Sequence, residues 1–127
     1  MLIMQLHPHA ATYTYVNADC VTNGLFVETA NALKELSRPF IAVGRRTNLL
    51  WKPDLRCANI THPSIFEQLM RKGELGRTSA MDYFITSKDV WDWSKIPDFV
   101  VGRPGFDTWL AGASPKFRLG ACSNVCI

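Results

Sequence analysis

Three aspartates, a pair of arginines and a run of tryptophans are the side chains with which this chain could do chemistry. Asn17-Ala18-Asp19 sets a carboxylate two residues after a side-chain amide. Hard oxygens in that pattern can ligate Mg²⁺ or Mn²⁺ bridged to a diphosphate. The same two residues serve equally as turn and cap chemistry between a strand and a helix. Gly44-Arg45-Arg46-Thr47-Asn48 carries adjacent arginines. On a strand they point to opposite faces, so one at most meets a bound phosphate, and both could be surface charges at a strand end.

Asp82 and Asp107 are the candidates for proton transfer. A carboxylate against an apolar wall can be tuned towards a general base, and Phe106 and Trp109 could form that wall. The alternatives are a strand-start residue capping a neighbour for Asp82 and a solvated helical residue for Asp107. Trp91, Trp93 and Trp109 could stack on the apolar face of a sugar, or fill the core of a small domain. His7 and His9 have metal-like spacing but lie in an irregular start, and His62 stands where a helix begins.

These residues need elements to position them. Thr12-Tyr13-Thr14-Tyr15-Val16 alternates β-branched and aromatic residues and predicts a strand. Thr22 or Asn23 can cap a helix over residues 24–36, with Phe26, Ala30 and Leu33 on its buried stripe. Phe40-Ile41-Ala42-Val43 has the continuous apolar pattern of a strand covered on both faces. The order strand, helix, strand predicts a right-handed βαβ unit with a parallel sheet. Pro63 opens a second helix that Gly73 closes, with Ile65, Phe66, Leu69 and Met70 inward. Residues 74–80 read as a polar loop. Residues 82–86 read as a strand, Val90-Trp91-Asp92 as a short helical turn, Phe99-Val100-Val101 as a strand, and the segment after Pro104 as a short helix through Leu110. Gly112, Ser114, Pro115 and Gly120 break the pattern beyond it. The chain divides into an irregular start at 1–11, one domain at 12–110 and an irregular tail at 111–127.

Composition narrows the class. The 127 residues allow one modest core. With 47% hydrophobic and 20% charged residues the chain is neither disordered nor fibrous. A formal charge of +3, scattered along the sequence, argues against a nucleic-acid partner. No basic residue precedes the apolar Met1-Leu2-Ile3-Met4, and no run is long enough to span a bilayer. Cys20, Cys57, Cys122 and Cys126 lack a disulfide framework spacing and read as reduced thiols of a cytoplasmic protein. Pairing or metal binding by Cys122 and Cys126 is the other option.

Together the motifs resemble those of a nucleotide-diphospho-sugar transferase-like family with the glycosyltransferase A-type fold. Tyr15-Val16-Asn17-Ala18-Asp19 is similar to its strand ending in Asn-small-Asp, and the segment from Phe40 to Asn48 to its next strand. Ser79-Ala80-Met81-Asp82-Tyr83-Phe84 is similar to its Ser/Thr-Gly-X-Asp-Tyr-Phe element, with Ala80 in place of the usual glycine. The segment from Ile96 to Leu110 resembles its Pro-Pro-Phe-X-X-Gly-Arg-X-Gly-Trp-Asp-Asn-Trp-Leu motif in fixed register. The likeness spans residues 14–110.

The resemblance implies an incomplete α/β domain of that type: a partial, Rossmann-like three-layer sandwich on a mostly parallel, mixed sheet. It implies a UDP- or GDP-sugar donor, an acceptor hydroxyl of unknown identity, and Mn²⁺ or Mg²⁺ at Asp19. Asn17, Arg45 and Arg103 would serve the donor. Asp107 would act as base or as an acceptor-orienting carboxylate, with Asp82 as a second catalytic carboxylate contacting the acceptor, and Tyr83, Phe106 and Trp109 would contact substrate. The family's nucleobase-binding strand and helix precede the Asn-X-Asp motif, where this sequence has sixteen residues. Its histidine-containing segment after Trp-Leu has no counterpart in residues 111–127. Both ends of the sheet are therefore expected to be cut, with an inactive transferase as one of the two expectations for this form. The rival expectation is a non-catalytic module that binds a partner, or itself, through exposed sheet edges.

Overall fold

A computed structural model describes residues 5–49, 62–77, 79–99 and 105–112, and the backbone of 120–126. Strand β1 spans Thr12–Val16, helix α1 Gly24–Lys34, and strand β2 Ile41–Asn48. Helix α2 spans Pro63–Lys72, followed at once by the two-residue strand β3, Glu74–Leu75. Strand β4 is Tyr83–Ser87, helix α3 Phe106–Gly112, and strand β5 Gly120–Cys126.

Local chemistry accounts for the helix limits. The Asn23 side-chain oxygen accepts the Phe26 N–H at 3.2 Å and satisfies one of the unpaired donors of α1. Phe26, Ala30 and Leu33, at helical spacing, lie against the sheet. Pro63 occupies the first turn of α2, where its missing N–H costs nothing, and the Gly73 N–H closes the other end on the Met70 carbonyl. Ahead of α3, Gly105 has φ of +104°, a conformation that suits glycine, and its carbonyl accepts the Trp109 N–H at 2.8 Å.

The sheet corrects the expected fold. Its path is β1-β4-β2-β3, and every step along it is antiparallel. β5 lies beside β2 as the parallel pairing, its register shifting between Gly44 and Arg46. The sheet is therefore not mostly parallel. β1 and β2 do run in the same direction, as strand–helix–strand order requires, but β4 comes back from far along the chain and inserts between them. Central placement alone satisfies the apolar run at the start of β2. A strand buried on both faces needs neighbours and covering layers, and either neighbour polarity supplies them. Gly120–Cys126 forms β5 in the stretch expected to be irregular. The short helical turn falls at Trp93–Lys95, slightly later than Val90-Trp91-Asp92. Phe99 lies outside any element; Val100, Val101 and Pro104 lie outside the described residues.

The pleat of the sheet sorts the core into two halves. On one face Phe40, Ala42, Tyr83 and Ile85 meet Phe26 of α1. On the other, Ile41, Val43 and Phe84 meet Val90 and Leu110, with Tyr15, Trp91, Phe106 and Trp109 packed around them. Gly44 is needed on the first face: a Cβ there would lie 1.8 Å from the Tyr83 ring. Among the described residues, no helix is long and apolar enough to cross a membrane.

Candidate functional site

Because β1 and β2 run together, their carboxyl ends share one rim with the start of β4. The backbone extends the sheet by one residue here. The Asn17 N–H donates to the Asp82 carbonyl at 3.0 Å and the Asp82 N–H to the Gly44 carbonyl at 2.8 Å. Three polar side chains that are far apart in sequence meet as a result.

Asp82 is their hub. It is 2% exposed, and a carboxylate so placed must find donors. Its Oδ2 accepts the backbone N–H of Arg46 at 2.9 Å. Its Oδ1 accepts the Arg46 guanidinium and, at 3.4 Å, the Asn17 amide. Arg46 Nε in turn donates to the Asn48 side chain at 2.7 Å. These bonds use Nε and Nη1 of Arg46, whose side chain remains 40% exposed, and Nη2 lies outside them. A charge-assisted bond of this kind contributes about 1.5–3 kcal/mol, so the hub ties three strand ends together.

Arg45 and Arg46 do diverge, as strand alternation requires. Arg45 turns to the Gly76 carbonyl at 3.1 Å, and Arg46 is the one that faces Asp82. Asp19 is exposed on the turn after β1. Its carboxylate accepts a long, 4.0 Å contact from the Cys20 thiol. Among the described residues no three His, Cys, Asp or Glu side chains gather as a metal cluster. The donor set at Asp19 is one exposed, hard carboxylate, suited to a cation whose other ligands come from phosphate oxygens and water.

The remaining candidates lie on the sheet faces. Tyr83 is 1% exposed, in the α1-side core, with its ring edge to face on Phe26 at 5.2 Å. Asp107 is half-buried near the start of α3, its Oδ1 accepting the Thr108 N–H at 2.8 Å. Trp109 packs against Phe99 at 5.2 Å, and Phe106 sits between Phe99 and Tyr15. Arg103 lies outside the described residues.

The tryptophans do not make a common platform. Trp91 and Trp93 stand perpendicular, at 5.2 Å and 89°, and Trp93 rests edge to face on Tyr13. Trp93 Nε1 donates to the Lys88 carbonyl at 2.6 Å. Its turn is held by Asp92, which accepts the Ser94 N–H at 3.2 Å, the Ser94 hydroxyl at 2.6 Å and Lys95 at 2.9 Å. Those contacts, Lys95 foremost, lower the Asp92 pKa from 3.8 to about 2 and raise that of Lys95. Between this turn, β1 and α3 lies an apolar cavity of about 280 Å³. Tyr13 and Tyr15, residues of strand β1 outside the candidate set, line it. Their alternation in β1 was the signal that both face one side.

No protein-family model, curated protein or solved structure matches this chain.

Proposed function

We propose that this chain handles a nucleotide-diphospho-sugar in the manner of the transferase family its motifs resemble, moving the sugar to an acceptor hydroxyl. The observation that carries the proposal is the strand-end rim. Asp82 holds Arg46 and Asn17 in fixed positions while part of the Arg46 guanidinium stays open, and Asp19 follows Asn17 by two residues. A preorganised guanidinium suits phosphate oxygens.

In this mechanism Arg46 faces the donor diphosphate, and its charge stabilises the negative charge that builds up as the bond from the anomeric carbon to the phosphate oxygen breaks. Asp107, the base that the resemblance implies, lies on α3 and not among the residues of the rim; as base it would take the proton of the acceptor hydroxyl through Oδ2, the oxygen outside its bond to the Thr108 N–H. Asp82 is a positioning residue, since both its oxygens are engaged. A divalent cation arriving with the diphosphate would take Asp19 as protein ligand and supply further charge neutralisation to the leaving group.

Calorimetric titration with UDP- and GDP-hexoses, with and without Mn²⁺, tests the proposal. Saturable heat that requires Mn²⁺ is expected with one donor, and Asp19→Asn, on an exposed turn, removes the Mn²⁺ requirement or the heat with the fold intact. No heat with either donor overturns it and leaves the non-catalytic module in its place.

A further inference from the structure

At the end of the sheet opposite the rim, β1 begins, β4 ends and β2 enters, with Thr12 paired to Ser87 and Ile41 to Thr86. A cavity of about 410 Å³ opens there, lined by Lys34 of α1, Arg38 of the following loop and Lys88 of the turn after β4, with Asp89 as its one carboxylate and His9 beside them. The whole chain has 14 basic to 11 acidic residues, so three cations to one carboxylate is a concentration of charge that the fold creates. None of these cations has an ion-pair partner among the described residues, whose ion pairs join Arg46 to Asp82 and Lys95 to Asp92. Lys34 Nζ donates to the Asn31 side chain at 3.2 Å and Lys88 Nζ to the Pro8 carbonyl at 2.8 Å. Each ammonium is thus steadied by a neutral acceptor and keeps further N–H groups to give. The Arg38 guanidinium has no hydrogen bond to a described residue. Gathered like charges repel, and a bound anion relieves that repulsion.

We propose that this pocket binds the phosphate of a small phosphomonoester, with Lys34, Arg38 and Lys88 as its donors. Such a phosphate carries a charge of about −1.5 to −2 near neutral pH. Three cations less one carboxylate leave two net positive charges, which balance it. Leu36 and Pro39 add apolar lining for the organic body of the ester. The negative end of the α1 dipole lies on this side, but its Ala32 and Leu33 carbonyls are already engaged by the N–H groups of Glu35 and Leu36. The pocket shares no residue with the rim, so failure of one proposal leaves the other standing.

Phenyl phosphate and benzenesulfonate are the probes, because they share a ring and differ in anionic charge. At about pH 7.5, above the second phosphate pKa of about 6, titration of the full chain followed by backbone amide NMR should show saturable binding of phenyl phosphate. Its shifts should centre on residues 9–12, 34–38 and 87–89, and benzenesulfonate should bind about tenfold more weakly, the factor for one lost charge-assisted hydrogen bond. Arg38→Gln should weaken phenyl phosphate by about tenfold too, and Asp89→Asn should tighten it about threefold. Absence of saturable binding, equal affinity for the two probes, or unchanged affinity in Arg38→Gln overturns the site. Shifts centred on Asn17, Arg46 and Asp82 overturn it as well and favour the rim. Vesicles carrying phosphatidic acid present the same group on a membrane, and their capture without saturable binding of phenyl phosphate overturns a soluble ligand. Should a variant not fold, the wild-type comparison of the two probes decides.

Discussion

The strand-end rim and the aromatic cavity treat polar atoms in opposite ways. At the rim a fully buried carboxylate is surrounded by donors, a backbone N–H, a guanidinium and an amide. Among the aromatic rings on the other face, the buried Trp91 indole N–H has no acceptor among the described residues. The first arrangement is complete as protein, and what remains available there is the outer part of Arg46. The second leaves one buried donor unsatisfied by the described residues. Buried polar atoms thus separate a satisfied network from an unsatisfied one, a distinction that residue type alone does not make.

Deleting a polar atom should therefore have contrary effects in the two regions. Asp82→Ala leaves Asn17 and the Arg46 N–H without their acceptor and should lower stability by about 3 kcal/mol, read from urea unfolding midpoints. A loss below about 1 kcal/mol would show the hub to be loosely held. Trp91→Phe, by contrast, removes a donor that has no partner. Its lost ring area is offset by relief of that donor, and the net cost should stay below about 1 kcal/mol in the same experiment. A cost as large as that of Asp82→Ala would mean the N–H is bonded after all, and the contrast between the regions would fail.

The smallest effect concerns the turn that carries Trp93. Asp92 is exposed, and its folded pKa of about 2 lies below the ordinary 3.8. A depressed carboxyl pKa means the contribution is fully present above pH 3.8 and is lost as pH falls towards 2. For Lys95 the sign is reversed: with its pKa raised above 10.5, the contribution is present below that value and is lost at higher pH. Carboxyl NMR titration should place the Asp92 midpoint near 2 and return it towards 3.8 in Lys95→Met, with little change in unfolding midpoint at pH 7 because solvent screens an exposed pair.

Much of the local structure was legible before any coordinates. Strand β1, the caps of α1 and α2 and the alternation at Arg45-Arg46 follow from side-chain shape and from hydrogen bonds within a few residues. The antiparallel insertion of β4 was not legible. Apolar patterns report which positions are buried and are silent on which strand lies alongside, so β1 and β2, neighbours in sequence, were expected to be neighbours in the sheet. The choice of Arg46 over Arg45 was hidden for the same reason, its partner being 36 residues away.

The sequence by itself determined strand β1, the starts of α1 and α2 and which of their faces are apolar, since these depend on propensities and caps that act over one or two turns of chain, whereas β3 and β5 arose in stretches read as irregular. Tertiary structure alone decided that Asn17, Arg46 and Asp82 meet, that Tyr83 enters the core over Gly44, and that Trp91 and Trp93 stand perpendicular around a cavity. Those outcomes depend on strand order and register, and a strand inserted from far along the chain changes every neighbour without changing a local preference.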